Sequence, residues 1–282
     1  MKTRHVGMRY QHSRVVSMVT APHPSGPRAE RPAHVPDLLR LVTRDPGRPR
    51  ITWYGDDGER VELSGAVLEN WVNKTTNLLV EEFDAGPGTR VALDLPVHWR
   101  TVVWALAAWR VGTTVVLAPA EDDGTTGTGA TRPDVVVTSR PGRWAGTRAE
   151  LVAVALPALA RRFDGDLPAG AIDAASAVMT YGDQVGWAPE PDPGAAALES
   201  AAGMVTSHAD LVPGSPPPEG ATGGARGLAR GGSTREEALR TVLAVLADDG
   251  SVVQLSPSRA HALAGDEAAL ARLVATERIT VS

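Results

Sequence analysis

Four stretches of this chain hold residue types that could do chemistry. Thr125-Thr-Gly-Thr-Gly-Ala-Thr131 is rich in hydroxyls and glycines, the make-up of a loop that surrounds phosphate with side-chain oxygens and backbone N–H groups. Such a loop needs a cation as well, and this one has Glu121, Asp122 and Asp123 beside it and no lysine. A surface loop is therefore the expectation. Thr180-Tyr-Gly-Asp183, Glu199-Ser-Ala-Ala-Gly-Met204 and His208 are the other candidates, and their meaning depends on their order along the chain. Standard catalytic patterns are missing: there is no Gly-x-Ser-x-Gly elbow, and Gly223-Gly-Ala-Arg-Gly227 does not lie between a strand and a helix. The seven histidines form no His-x-x-His or His-Glu-x-x-His pair, and the chain has no cysteine. Disulfides, thiol nucleophiles and cysteine zinc sites are thereby excluded, and no structural metal is expected. Glu81, Glu82, Glu236 and Glu237 read as solvated helix faces. No catalytic residue is expected, and the cofactor-binding residues are unknown.

The elements that would position such residues follow from composition and pattern. With 282 residues, of which 43% are apolar, the chain can bury a substantial core. Its formal charge of -5 offers no global attraction to nucleic acid or to an anionic membrane. The exception is Met1 to Arg31, with Lys2, Arg4, Arg9, Arg14, Arg28 and Arg31 against Glu30 alone. That stretch reads as a flexible basic tail over 1–34, either a functional arm or the product of an upstream start codon ahead of Met8 or Met18. Val15-Val-Ser-Met-Val19 is too short and polar for a secretory signal. Val102 to Ala118 is interrupted by Arg110 and Gly112, so it is no membrane span. A cytoplasmic protein without nucleic-acid or membrane partners is expected.

Periodicity places a short helix over Val35 to Val42, a hairpin of Ile51–Tyr54 and Arg60–Leu63 around Gly55-Asp-Asp-Gly58, and a helix capped by Ser64 that ends near Glu82. Val67, Leu68, Trp71, Val72, Leu78 and Leu79 form the apolar face of that helix. Gly86-Pro-Gly88 leads into a buried strand Arg90 to Leu95, a helix Trp99 to Arg110, a stop at Gly112 and a strand Thr113 to Leu117. Val135–Thr138 and Leu151–Leu156 are further apolar runs. Asp183 to Ser233 is rich in Pro and Gly, broken only by Gly203 to Leu211, and reads as loop or linker. Ser233-Thr-Arg-Glu236 is a capping-box signature ahead of a helix carrying Leu239, Val242, Leu243 and Leu246. Strand Ser251–Leu255, helix Asp266–Thr276 and strand Arg278–Val281 follow. Leu106 to Pro119 also aligns without gaps on Ala244 to Pro257, as helix end, Gly, strand and Pro. Two similar α/β layers would produce this, as would the general need for Gly at such a junction. The fold class expected is α/β, mostly parallel sheets with helices on both faces. Its divisions are a tail over 1–34, a first subdomain over 35–182, a linker region over 183–232 and the remnant of a second subdomain over 233–282.

Several of these segments resemble the adenylate-forming enzymes, the superfamily of acyl-CoA synthetases, luciferases and peptide-synthetase adenylation domains. Pro49-Arg-Ile-Thr-Trp-Tyr, Leu63 to Leu79 and Gly86-Pro-Gly-Thr-Arg-Val-Ala-Leu are similar in order and spacing to the first subdomain of that family. Val205-Thr-Ser-His-Ala-Asp-Leu211 is similar to its Val-x-x-Thr-His-x-Asn-Leu, and Asp249-Gly-Ser-Val-Val to its Gly-Gly-Thr-Val-Val. Leu270 to Val281 likewise resembles its Leu-x-x-Ile-x-x-x-x-Val-Thr. The resemblance implies a phosphate loop ending in Pro-Lys-Gly just before Val205. Glu199-Ser-Ala-Ala-Gly-Met204 stands there instead, short, without lysine, and with a carboxylate where phosphate would sit. Thr180-Tyr-Gly-Asp183 imitates the family's Tyr-Gly-x-Thr-Glu but comes too early and lacks the Thr-Glu. Of the polar residues near the former loop only His208 is family-like, and it reads as a loop histidine without a catalytic role. Beyond Ser282 the family would continue into its acyl pocket, ribose-binding Asp, hinge and catalytic lysine, so the resemblance implies a truncated pseudoenzyme without ligase activity. No cofactor is expected, and ATP or AMP binding has no phosphate loop to support it. Three readings stand: a silent binding protein, half of a split acyl-CoA or aryl-acid ligase completed by another chain, and an interaction module that meets a protein partner or a second copy through an edge left by truncation.

Overall fold

The computed structural model describes residues 31–118, 132–216, 219, 223–229 and 234–281. The basic tail up to Glu30 and the Thr125–Thr131 loop lie outside the described residues. From Arg31 onward the chain packs as one compact unit.

The chain enters through α1 (Val35–Val42), with Pro36 in its first turn and the His34 side chain accepting from the Asp37 N–H. β1 (Pro49–Tyr54) and β2 (Arg60–Ser64) form the expected antiparallel hairpin. The Ser64 side chain then accepts from the Val67 N–H and starts α2 (Gly65–Phe83). Leu68, Val72, Leu78 and Leu79 of α2 are buried, but Val67 is exposed, one turn outside the apolar face assigned to it. β3 (Arg90–Asp94), α3 (Trp99–Arg110) and β4 (Thr114–Leu117) form a parallel crossover. β5 (Val135–Thr138), β6 (Glu150–Ala153) and the two-residue β7 (Ile172–Asp173) complete the parallel strands on the far side of β3, and α4 (Ala174–Ala177) follows. Every residue of β4 and β5 is buried, as strands covered on both faces must be.

The stretch read as linker is not one. It contains β8 (Ala196–Glu199), which pairs in parallel with β4, then β9 (Val205–Ser207), antiparallel to β8, and α5 (His208–Leu211). Its prolines pack: Pro189 lies against Gly86, and Pro191 against Gly112. Composition misled because proline and glycine mark close backbone contact as readily as solvent-exposed turns. β10 (Arg226–Ala229), α6 (Arg235–Ala247) and β11 (Ser251–Leu255) form a second parallel crossover, followed by α7 (Pro257–Ala264), which the pattern did not suggest, and α8 (Glu267–Thr276). The capping box of α6 sits one residue later than expected, with Thr234 as cap and Glu237 as its reciprocal acceptor. In place of a strand over Arg278–Val281 there is a single parallel bridge between Gly227 and Val281.

Two sheets result, ordered β7-β6-β5-β3-β4-β8-β9 and β10-β11-β1-β2. The smaller sheet joins a hairpin from the start of the chain to a crossover from its end, so the sheets do not follow the sequence division into 35–182 and 233–282. One hydrophobic cluster runs from Ile51 and Val252 in the smaller sheet through Leu106 and Trp109 of α3 to Val91, Val115 and Val135 in the larger. Eleven consecutive residues of α3, Trp99 to Trp109, are buried, as expected of a helix enclosed on all sides. Among the described residues, no helix is long and apolar enough to cross a membrane.

The junctions aligned by the internal repeat, Gly112 and Gly250, solve different problems. Gly112 takes φ +80°, and a Cβ there would also lie 2.9 Å from the Pro191 Cα. Gly250 has an ordinary φ. The left-handed residue of that turn is Asp249, at φ 56°, while a Cβ on Gly250 would come within 2.6 Å of the Ala225 carbonyl oxygen. Both crossovers need glycine, one for its conformation and one for its missing side chain.

Candidate functional site

In the larger sheet β3 leads through α3 to β4 on one side, whereas β5 is placed on the other side of β3. The order therefore reverses between β3 and β5, and at such a point the carboxyl ends of the strands part and leave a crevice. A cavity of about 680 Å³ opens there. Its floor is Asp94 to Val97 after β3, with Leu117 from β4 and Ser139 and Arg140 after β5. Ser200 to Ala202, the turn between β8 and β9, form one wall, while Thr234 to Glu236 at the start of α6 and Pro257 bring in the smaller sheet.

Asp94 lies at the base, 2% exposed. Its carboxylate accepts from Thr138 Oγ1 at 2.7 Å, Trp144 Nε1 at 2.9 Å, Arg140 Nη2 at 2.8 Å and Arg143 Nη1 at 3.3 Å. A carboxylate that accepts four hydrogen bonds has no lone pair to spare for general-base work. Arg235 enters from the other sheet. Its Nη1 donates to the carbonyl oxygens of Leu93 at 2.8 Å and Leu95 at 3.3 Å, the residues on either side of Asp94. Burial pulls the Arg235 pKa below its ordinary value; Asp94 opposes this, while Arg140 and Arg143 add repulsion. Arg140 and Arg143 thus bond the Asp94 carboxylate directly, while Arg235 holds the backbone on either side of it. A cation at the first position of a helix runs against the helix dipole, and this is the signal that could have drawn attention to Arg235 in the sequence.

The β8–β9 turn, where the sequence resemblance would place a phosphate loop, is closed on itself. The Ser200 N–H donates to the Met204 carbonyl at 2.9 Å and the Gly203 N–H to the Ser200 carbonyl at 2.9 Å. The Met204 N–H also donates to Ser200 Oγ, the single hydroxyl of the turn, at 3.0 Å. Glu199 forms an ion pair of 2.7 Å with Arg90.

Of the other sequence candidates, Thr180–Asp183 and His208 fall outside the crevice, whereas Glu236 is on its lining. The Thr180–Asp183 segment is clamped to α2: Lys74 Nζ donates to the Tyr181 carbonyl and pairs with Asp183, each at 2.7 Å, and Asn77 Nδ2 donates to the carbonyls of Gly182 and Gln184. His208 is not a loop residue but the first residue of α5, and it is buried. Glu236 pairs with Arg240 one turn along α6 at 2.9 Å. Among the described residues no cluster of side chains could hold a metal ion. The groups that shape the crevice, Asp94, Arg140, Arg143, Trp144 and Arg235, were missed in the sequence because they come from three separate segments that only the sheet brings together.

No family model matches the chain. It is 34% identical over 244 residues to the TIGR03089 family protein of Mycobacterium tuberculosis, a match covering 85% of this chain and 93% of that one. The chain belongs to the TIGR03089 family. Solved structures similar to this TIGR03089 chain are adenylate-forming enzymes. Acetoacetyl-CoA synthetase from Streptomyces lividans matches with a TM-score of 0.62 at 17% identity, over 79% of this chain and 38% of that one. The fatty acid AMP ligase from Legionella pneumophila matches with a TM-score of 0.62 at 13% identity, over 88% and 43%. The N-terminal subdomain of Klebsiella oxytoca NpsA, in complex with 3-hydroxyanthranilyl-AMSN, matches with a TM-score of 0.59 at 13% identity, over 89% and 59%. The TIGR03089 chain thus has the fold of the N-terminal part of adenylate-forming enzymes and spans between 38% and 59% of these solved chains.

Proposed function

We propose that this chain is a binding protein of the adenylate-forming lineage, one that receives a small molecule in the switch-point crevice without coupling it to ATP. The observation that carries this reading is the contrast inside one cavity. The crevice is kept, with Arg140 and Arg235 on its lining, while the turn beside it is closed on its own hydrogen bonds and offers no lysine. Adenylation needs cations and backbone donors aimed at the charge that develops on the triphosphate, and this turn has no lysine and bonds its Ser200, Gly203 and Met204 N–H groups within itself. Neither a resident metal nor a cofactor enters this reading, and its proposed setting is the cytoplasm.

Incubating the full chain with Mg-ATP and a panel of fatty and aromatic acids should give no acid-dependent pyrophosphate exchange; clear exchange would refute the reading. A thermal-shift panel of acids, AMP, CoA and acyl-CoAs should contain a ligand that raises Tm, because a ligand bound only to the folded state must stabilise it. A second reading is half of a split ligase that another chain completes. It predicts a neighbouring reading frame with a Pro-Lys-Gly loop and a C-terminal lysine domain, whose product restores exchange on mixing.

A further inference from the structure

His208 sits at the root of the hairpin whose tip walls the crevice. It is 5% exposed, and its Nε2 has no hydrogen-bond partner among the described residues. Its backbone N–H donates to the Ala195 carbonyl at 3.0 Å, and the next N–H, of Ala209, to the Pro193 carbonyl at 2.9 Å. The backbone that carries the ring is therefore pinned where β9 turns into α5. From the α3–β4 turn, the backbone of Gly112 and Thr113 lies beside it, and from the loop before β8 the charged group facing it is Asp192. On its own helix the acidic residue is Asp210, whose Oδ2 accepts from Ser207 Oγ at 2.6 Å. A neutral imidazole suits this site. A protonated ring would bury a charge beside a donor that has no acceptor, and the hairpin would bear the cost.

We infer that His208 is a proton-sensitive pin: neutral, it holds the β8–β9 hairpin and the crevice wall in place, and protonated, it releases them. The inference rests on the reading of the crevice as the binding site, to which it adds pH control of the wall. Burial pulls the ring's pKa below its ordinary 6.5, with the backbone of Gly112 and Thr113 and the carboxylate of Asp192 opposing the shift. The folded value lies below the unfolded one, so the stabilisation is complete above 6.5 and is lost as pH falls toward the folded value.

Hydrogen exchange on the full chain without ligand, between about pH 7.5 and about pH 5 and corrected for intrinsic rates, tests this independently of any binding. Amides of 196–211 should lose protection relative to those of β3 and β5, by up to about tenfold per pH unit below the ordinary imidazole value. His208→Gln, neutral at every pH, should lose this differential. Asp192→Asn keeps the ring but removes the charge that favours its protonation in the fold, so the loss of protection at low pH should deepen. A wild-type hairpin without specific acid sensitivity overturns the inference, as does a His208→Gln protein that keeps it. If that variant does not fold, an acid profile unchanged by Asp192→Asn overturns it equally.

Discussion

The two crossovers, β3–α3–β4 and β10–α6–β11, share their local plan and differ in what surrounds them. In the first, the helix is enclosed, and Trp109 Nε1 reaches across to the Ala197 carbonyl at 2.7 Å, which joins α3 to β8. In the second, the helix starts at the crevice, and its sheet is tied together at one edge by charge: Glu277, 4% exposed at its side chain, accepts from Tyr54 on β1, Arg60 on β2 and Arg226 on β10. The first crossover is therefore held by apolar burial and the second partly by a charged hub, and acid should separate them.

Trp109→Ala attacks the enclosed unit and should have the largest effect. Removing a fully buried indole costs about 3–5 kcal/mol, and the Ala197 carbonyl is orphaned as well. Urea denaturation followed by circular dichroism would measure it, and a loss under about 1 kcal/mol would contradict the enclosure of α3.

Glu277→Gln attacks the hub. Burial pushes this carboxyl up, but hydrogen bonds from Arg60, Tyr54 and Arg226 outweigh it and hold the pKa at about 2. With the folded value depressed, the hub's contribution is complete above the ordinary 4.5 and is lost as pH falls toward 2. The variant should be about 2 kcal/mol less stable at neutral pH, the worth of a charge-assisted hydrogen-bond cluster. Its stability should also change less than the wild type's through the acid window, as thermal unfolding across that range would show.

Gly112→Ala tests the junction. The left-handed backbone alone costs about 1–2 kcal/mol with a Cβ present, and the Pro191 contact adds to it. Here Tm should fall by a few degrees. Val205→Lys on the exposed edge strand β9 should change stability by less than about 0.5 kcal/mol, and a larger loss would show that this edge is covered.

Much of the scaffold was legible. The bounds of α1, α3 and β5 follow directly from periodicity, caps and glycine stops, because hydrophobic patterning and capping act over a few residues. The 183–232 region was not legible, since short strands such as β8 and β9 owe their existence to a neighbour already in place and carry little pattern of their own. The position of the α6 cap slipped by one because Ser233 and Thr234 are both good caps followed three residues later by Glu.

By itself, then, the sequence determined the α/β class, the first crossover and the helix and strand that end the second, all of which are local in the chain. Only the tertiary structure decided that Asp94, Arg140 and Arg235 share one crevice, that Glu199 turns to Arg90, and that His208 is buried. Residues 94 and 235 are brought together by the reversal of strand order between β3 and β5 and by the packing of one sheet's helix on the other, which no short stretch of sequence encodes.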